Sequence, residues 1–283
     1  MLRADHVSLR LGGTAILHNV SLSARAGQLT AIAGPNGSGK TTLLRALTGE
    51  FAAEGTITMD GLQVHPRHAM ALAERRGVLP QAARLAFPFT VIEVVRIGHG
   101  AGRHAHRPDL PLHALGHVGL RHMAGRFYQD LSGGEQQRVQ LARVLAQIWE
   151  PTGPDGPNWL FLDEPVSSLD IGHQLAVMRL VRDFAARGGG VVAVMHDLNL
   201  TAMFADRVVM MQSGHVAAKG PPATVITSET LSAIYDCDLK VSTLPRDGMP
   251  YLLPQAAGGD GSVRLFDSDI AISDFLVRNN MDC

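Results

Sequence analysis

Residues 34–41, with the sequence GPNGSGKT, constrain the fold of this chain more than any other segment. They match the pattern G-x-x-x-x-G-K-[ST] in full. An apolar segment that predicts a strand, residues 27–33, comes before them, and a predicted helix over residues 40–49 follows. The glycines let backbone amides turn toward phosphate oxygens, and the N-terminus of the helix adds the positive end of its dipole. The sequence therefore predicts a strand–loop–helix unit that binds nucleotide phosphates.

The residue types in this loop divide the work of holding a nucleotide. We expect Lys40 to reach the β- and γ-phosphates and the Thr41 hydroxyl to ligate Mg²⁺. The predicted nucleotide-binding residues of the loop and the first helical turn are Gly34, Pro35, Asn36, Gly37, Ser38, Gly39, Lys40, Thr41 and Thr42.

A second feature is an apolar run that ends in two acids, WLFLDE at residues 159–164. In a parallel sheet the carboxyl ends of the strands face the ligand crevice. Asp163 would then hold Mg²⁺, directly or through water, and Glu164 would act as a general base on the attacking water. The alternative is a strand that simply ends in solvated acids, and the phosphate loop upstream favours the catalytic interpretation.

The segment LSGGEQQR, residues 131–138, precedes a predicted helix. Ser132 followed by Glu135 is a capping box, which explains those two residues but not the two glycines between them. Gly133 and Gly134 are unfavourable at a helix start unless the backbone closely approaches another group. Their free amides and the Ser132 hydroxyl predict a second anion site. One chain cannot easily bring both anion sites to one phosphate, whereas two copies arranged head to tail can.

Strand and helix patterns alternate along the chain, which favours a mostly parallel sheet covered on both faces. We predict further strands at residues 2–11, 16–22, 55–61 (an edge strand), 77–80, 159–162, 191–195, 208–211 and 251–253. Helical patterns cover residues 81–148, 171–187, 198–205 and 228–235, and residues 150–158 predict an exposed loop. The predicted organisation is a nucleotide-binding core with a β subdomain (residues 1–81 and 158–220), a helical subdomain (82–157) and a C-terminal extension (221–283), whose last part (256–283) reads as a separate tail.

The order of these motifs resembles the ATP-binding-cassette ATPases, with LSGGEQQR lying between the phosphate loop and LFLDEP. The resemblance covers about residues 2–220. It implies an α/β fold of the phosphate-loop NTPase class, with a RecA-like parallel-sheet core, an N-terminal antiparallel β subdomain and an inserted helical subdomain. It also implies ATP and Mg²⁺ as cofactors, and a homodimer in which each phosphate loop faces the partner's signature, Ser132 to Glu135.

The resemblance assigns roles to four more residues. Gln81 matches the glutamine that senses Mg²⁺ and the attacking water, and Asp170 lies in the loop that communicates across the dimer. His196 matches the switch histidine at the γ-phosphate, although a histidine at a strand end is otherwise more often a polar core residue. Leu11 stands where the family usually has an aromatic residue that stacks on adenine, so we expect looser discrimination of the base.

Net charge, apolar runs and the number of cassettes in the chain help to decide which type of cassette ATPase this is. The net charge is -1, so the chain lacks the basic excess that nucleic-acid binding favours. It also lacks a run of 18 consecutive apolar residues, so the sequence does not predict a membrane-spanning helix. A single cassette, with no long coiled coil between Gln81 and Leu131, fits a separate importer subunit better than the DNA-repair or ribosome types. Non-hydrolysing regulators are disfavoured because Glu164 and His196 are both present.

Within the importers, the chain resembles the subunits for iron-siderophores, vitamin B12 and haem, and the haem branch most. The segments at residues 79–98 and 147–165 carry that likeness. It implies two transmembrane permease subunits as partners, a periplasmic haem-binding protein as an indirect partner, and a peripheral location at the cytoplasmic face of the inner membrane. Siderophore or vitamin B12 import stays an alternative, as does a soluble cassette acting on nucleic acid or ribosomes.

An apolar segment and a group of histidines each have two interpretations. The apolar residues 86–89 (AFPF) within residues 84–95 are either the surface that docks on a permease or a buried packing segment. Six of the 13 histidines lie at positions 99–122, and His113 and His117 are spaced to share a helical face. We predict a solvated surface rather than a metal site, since no cysteine or carboxylate cluster accompanies them. Cys237 and Cys283, the two cysteines, are expected to be reduced thiols.

Overall fold

The structure is a computed structural model that describes residues 1–82, 85, 87–245 and 248–256. Its strands are β1 (Leu2–Leu11), β2 (Thr14–Ala24), β3 (Leu29–Ala33), β4 (Glu54–Met59), β5 (Leu62–Gln63), β6 (Arg76–Leu79), β7 (Thr152–Gly153), β8 (Gly156–Pro157), β9 (Trp159–Asp163), β10 (Gly190–Val194), β11 (Arg207–Gln212) and β12 (His215–Gly220). Its α-helices are α1 (Lys40–Leu47), α2 (Ala69–Ala73), α3 (Val91–Gly100), α4 (Leu110–His117), α5 (Gly133–Gln147), α6 (Ile171–Ala186), α7 (Leu198–Phe204), α8 (Pro222–Val225) and α9 (Ser228–Tyr235).

The central sheet has six strands in the order β12-β11-β3-β10-β9-β6. All neighbouring pairs are parallel except β11 with β12. Every residue of β3, β9 and β10 is buried, because helices or the second sheet cover both faces. Such strands read as continuous apolar runs, as LTAIA, WLFLD and GVVAV do here.

The second sheet is antiparallel, with four strands in the order β2-β1-β4-β5. Strand β1 buries Leu2, Ala4, Val7 and Leu9 in the core, and a register shift between Ala4 and Val7 interrupts the alternation. Together with α1 and the facing side of the central sheet, these residues form one continuous apolar cluster. The phosphate loop runs directly from the central sheet into α1, so this packing holds it on both sides.

Three helices, α3, α4 and α5, lie between β6 and β9 in the chain and pack on one another. Their contacts bury Val94, Leu115 and Val139 completely. A capping box of Thr90 and Glu93 begins α3, with the Thr90 amide donating to Glu93 Oε2 at 2.8 Å. The α/β class with a parallel core, an antiparallel β subdomain and an inserted helical part, predicted from the sequence, is confirmed.

Several local predictions were wrong. The segment at residues 55–61 was expected at an edge, yet β4 lies between β1 and β5. Residues 150–158 contain the short hairpin β7–β8 rather than a simple exposed loop, and Asn158 is buried. Residues 251–253 form no strand: they are exposed, Leu252 at 71%, and pair with no neighbouring strand.

The sequence also missed β12, which pairs antiparallel with β11. Its small residues, with burial alternating between exposed and half-buried positions, give too weak a pattern to recognise in isolation. The predicted tail from residue 257 onward lies outside the described residues.

Candidate nucleotide site

The loop between β3 and α1 is shaped by glycines in conformations that other residues adopt with strain. Gly39 is the N-cap of α1 at φ 98° and offers no side-chain cap, so the helix N-terminus stays open to a ligand. Gly34 has φ 141°, and a Cβ atom built there would lie 2.1 Å from the Met211 carbonyl oxygen. Only glycine allows this close backbone approach.

Lys40 is buried, with 6% of the residue exposed. Its Nζ donates to the carbonyl oxygens of Gly34 at 2.9 Å and Pro35 at 2.8 Å, so the ammonium group lies back over the loop. Burial lowers the pKa of Lys40, while the carboxylates of Glu164 and Asp163 oppose the shift. The hydroxyl of Ser38 is also buried, and it has no hydrogen-bond partner within the described chain. Lys40 and Ser38 thus offer donors to an incoming phosphate.

Thr41 and Asp163 meet although they lie on different elements. The Thr41 hydroxyl donates to Asp163 Oδ1 at 3.0 Å, and Asp163 is 2% exposed at the end of β9. Burial raises the pKa of Asp163, and the hydrogen bond from Thr41 partly opposes this. A hydroxyl and a carboxylate are hard oxygen donors of the kind that Mg²⁺ prefers, so the pair fits this ion beside the phosphates.

Glu164 and His196 form the next pair along the same sheet edge. Val194 of β10 pairs with Asp163 of β9, which brings both following segments to the carboxyl edge of the sheet. Glu164 Oε1 lies 2.6 Å from His196 Nε2, with the Glu164 side chain 14% exposed and that of His196 41% exposed. A carboxylate in hydrogen-bond contact with an imidazole, next to a phosphate loop, is suited to polarise a water molecule.

Gln81 reaches this edge from the neighbouring strand. Leu79 ends β6 and pairs with Leu162 of β9, so Gln81 follows its strand at the same carboxyl edge of the sheet as Glu164. Gln81 is exposed. The structure thus gathers Lys40, Thr41, Asp163, Glu164 and Gln81 at the edge where His196 also lies.

The signature segment forms a separate surface. Ser132 caps α5: its amide donates to Glu135 Oε2 at 2.8 Å, and its hydroxyl accepts from the Glu135 amide at 3.4 Å. The Ser132 hydroxyl and amide lower the pKa of Glu135. Gly133 is exposed, and a Cβ built there would meet no atom within 4 Å. None of the hydrogen bonds that these described side chains make reaches residues 34–42.

Two residues implied by the resemblance lie at other positions. Asp170 caps α6 by accepting from the His173 amide at 2.9 Å, and this bond lowers the pKa of Asp170. Its side chain is 71% exposed. Leu11 ends β1 and is 39% exposed. Sequence reasoning missed Gln137, whose side chain contacts the backbone of Glu164. Its place in a helix one turn after Gly133 was the available signal.

The histidine-rich segment shows separate local contacts. His113 Nε2 lies 3.4 Å from Asp109, and the His117 ring packs edge-on against Trp149 at 5.2 Å between ring centroids. Over the ranges that the structure describes, no three His, Cys, Asp or Glu side chains cluster as a metal site.

The apolar segment predicted to dock or to pack is exposed at one phenylalanine and packed at the other. Phe87 is 70% exposed, whereas Phe89 is half-buried against the core of the helical part. Arg84 and Ala86 lie outside the described residues. In the part of the chain that is described, none of the helices combines the length and apolar character that crossing a bilayer needs.

The fold and the site define a nucleotide-binding protein of the phosphate-loop class with a second, outward-facing glycine motif. A model of the family described as "ABC transporter" matches residues 17–167. The hemin import ATP-binding protein HmuV of Jannaschia sp. (strain CCS1) is 58% identical over 261 residues, which cover 92% of this chain and 97% of that protein. HmuV of Ruegeria sp. (strain TM1040) is 57% identical over 90% of this chain and 98% of its own length.

Solved structures agree with these matches. The dimeric structure of MJ0796, a bacterial ABC transporter cassette, superposes with a TM-score of 0.68 at 27% identity, over 78% of this chain and 99% of that chain. A post-hydrolysis state of the same cassette, bound to ADP and Pi, gives a TM-score of 0.69 at 26% identity, over 78% of this chain and 99% of that one. The chain belongs to the ABC transporter family, and it has the ATP-binding cassette fold of that family. The resemblance stated from the motifs is confirmed.

Proposed function

We propose that this chain is the ATP-hydrolysing subunit of an importer that carries haem across a membrane. The observation that carries the proposal is the shared sheet edge, where Lys40, the Thr41–Asp163 pair and the Glu164–His196 pair meet beside the phosphate loop. Haem as the cargo is supported by relatives named hemin import ATP-binding proteins, which match over nine-tenths of the chain.

The residues divide the hydrolytic step among them. Lys40 moves its donors from the loop carbonyls to the β- and γ-phosphates, an exchange of two carbonyl acceptors for charged ones. Thr41 and Asp163 would hold Mg²⁺, which when bound would neutralise charge on the phosphates. Glu164 orients the attacking water and accepts its proton, His196 contacts the γ-phosphate, and Gln81 senses the water.

The signature residues need a second copy of the chain. Ser132 and Gly133 are exposed, and together with the half-buried Gly134 they offer a hydroxyl and backbone amides. The hydrogen bonds of the Ser132 and Glu135 side chains do not reach this chain's own phosphate loop. A head-to-tail dimer brings them to the partner's ATP, with Asp170 at the junction. The dimeric structure of the MJ0796 cassette supports a dimer.

Attachment to the membrane is through two permease subunits at the cytoplasmic face of the inner membrane. The exposed Phe87 ring supports a docking surface on the helical part. A periplasmic haem-binding protein would deliver cargo to the opposite side of the permease. Nucleic acid is no partner in this proposal, in keeping with the net charge of -1.

The test begins with the tagged full chain, extracted gently from its native membranes with whatever accompanies it. We expect a polytopic permease to co-purify, and haem delivered to the reconstituted complex to stimulate both ATP hydrolysis and haem uptake into vesicles. Stimulation by vitamin B12 or a ferric siderophore, but not by haem, would transfer the proposal to the alternative cargo. Co-purification of ribosomal or DNA-repair proteins without a membrane protein would overturn the transport function.

A further inference from the structure

Gln137 lies one turn into α5, and both ends of its side-chain amide are engaged by the loop after β9. Its Nε2 donates to the Glu164 carbonyl oxygen at 2.7 Å, and its Oε1 accepts from the Ser168 amide at 3.2 Å. The reverse orientation of the amide would set oxygen against oxygen and N–H against N–H. The two bonds therefore fix the side chain and span the segment from residue 164 to residue 168.

The backbone of Glu164 needs such support. Its φ is 53°, in the left-handed region that a residue with a Cβ atom adopts with strain. Strained backbone persists where surrounding contacts over-determine it. The Glu164 amide donates to the Val194 carbonyl at 3.2 Å, and its carbonyl accepts from Ser167 Oγ at 3.2 Å as well as from Gln137. Among the hydrogen bonds of the described residues, that from Gln137 is the one from a side chain on a distant element to this backbone.

The helix that carries Gln137 packs directly on the same loop. A Cβ atom built on Gly134 would lie 2.9 Å from the Ser168 carbonyl oxygen and 3.2 Å from Leu169 Cδ2. A shift of the first turn of α5 must therefore displace the loop or break the two bonds of Gln137. The direction of the Glu164 carboxylate thus depends on the position of the signature helix.

We propose that Gln137 is a positioning residue for the hydrolytic step, holding Glu164 in its left-handed conformation so that its carboxylate faces the nucleotide. The inference rests on the proposed function, because it assigns Glu164 the role of base. Gln137 itself contacts neither phosphate nor water in this role, so its removal is expected to slow turnover without weakening ATP binding.

The experiment compares the full-length chain with Gln137→Ala and Gln137→Glu. The glutamate variant keeps an oxygen for the Ser168 amide but loses the donor to Glu164. Gln147→Ala is the matched control: it lies on the same helix, and its Nε2 also donates to two carbonyls, those of Ala73 at 3.0 Å and Arg76 at 3.2 Å. Steady-state ATP hydrolysis, ATP affinity and Tm are measured for each, in the permease complex if the chain alone does not turn over.

We expect both Gln137 variants to lose roughly tenfold in kcat, the effect of about 1.4 kcal/mol, with KM for ATP and affinity within about twofold of wild type. Gln147→Ala is expected to lower Tm about as much as Gln137→Ala does, because each loses two hydrogen bonds, but to keep the kcat of wild type. In a Glu164→Gln background, Gln137→Ala should add no further loss, because the two residues act on one step.

Full kcat in either Gln137 variant would overturn the inference, as would an equal fall of kcat in Gln147→Ala. Additive losses in the double variant would overturn it too. Failure of the ATPase activity on which the inference rests is distinguishable from these outcomes, because the wild-type chain in its complex would then hydrolyse no ATP.

Discussion

The carboxylate of Glu164 and the imidazole of His196 lie in direct contact, with 2.6 Å between Oε1 and Nε2. They belong to segments that follow two neighbouring parallel strands, β9 and β10. In the proposed function, the candidate base Glu164 and His196, the candidate contact to the γ-phosphate, are therefore joined by one hydrogen bond.

Replacing Glu164 with Gln should separate binding from hydrolysis. The amide keeps the size of the side chain but cannot take a proton from water, so we expect turnover to fall by about 10²–10⁴. ATP should stay bound, and an ATP-bound dimer should accumulate, seen by light scattering after gel filtration. Glu229→Gln, at an exposed position in α9, is the control and should hydrolyse ATP as wild type does. Substantial hydrolysis by Glu164→Gln would remove this residue from the role of base.

Lys40→Ala should abolish tight nucleotide binding. The variant loses a buried ammonium group whose two carbonyl contacts are ready to be exchanged for phosphate oxygens. Charge-assisted bonds of this kind are strong, so we expect ATP affinity to fall at least about tenfold by calorimetry. Lys240→Ala, at a lysine paired with Asp238 on the surface, should bind as wild type. A folded Lys40→Ala chain with unchanged affinity would contradict the phosphate-loop assignment.

Asp163→Asn should stabilise the chain in the absence of nucleotide. It should also remove the tightening of ATP binding by Mg²⁺. Burial raises the pKa of Asp163, so the folded chain binds a proton more readily than the unfolded chain. The ionised carboxylate therefore lowers the free energy of unfolding at pH values above the raised pKa, and this effect fades as pH falls through it.

Thermal unfolding from pH 8 downward checks this sign. The Tm gain of Asp163→Asn should be largest at neutral and alkaline pH and shrink toward acid, with about 2–4 °C for each kcal/mol. Asp155→Asn is the control: a hydrogen bond from Arg103 lowers the pKa of Asp155, so no gain is expected there. A Tm gain independent of pH, or ATP binding that still tightens with Mg²⁺, would be the contrary result.

Ser132→Ala should impair hydrolysis without affecting ATP binding by the isolated chain. Its hydroxyl caps α5, so we also expect about 1 kcal/mol of lost stability. Thr227→Ala is a matched control, because Thr227 caps α9 through the Thr230 amide and lies on a different helix. Both variants should lose similar stability, and only Ser132→Ala should lose ATPase activity. Equal activity in the two variants would contradict a signature that acts on the partner's nucleotide.

The sequence predicted those elements whose conformation is set by nearby residues. Residues 34–41 need their glycines for backbone reasons alone. The buried strands β3, β9 and β10 are almost entirely apolar because both their faces are covered, with Thr30 and Asp163 as the polar exceptions. Helix α9 was predicted with its observed bounds, since Thr227 caps its start and its apolar positions repeat with helical spacing. The sequence was less informative where pairing with another strand decides whether a segment becomes a strand. Examples are β12, at the edge of the central sheet, and the exposed residues 251–253.

What the sequence alone determined is the set of groups and the order of strands and helices that carry them. Lys40, Thr41, Asp163 and Glu164 could be chosen from motif and strand end, because a phosphate loop and an acidic strand end each have a chemistry of their own. Only the tertiary structure decided which atoms meet. The packing of α1 on the central sheet set Thr41 beside Asp163, and the parallel pairing of β9 with β10 set Glu164 beside His196. The packing of α5 brought Gln137 to the Glu164 carbonyl. Such contacts join residues far apart in the chain, and their geometry follows from sheet register and helix packing, which no local pattern encodes.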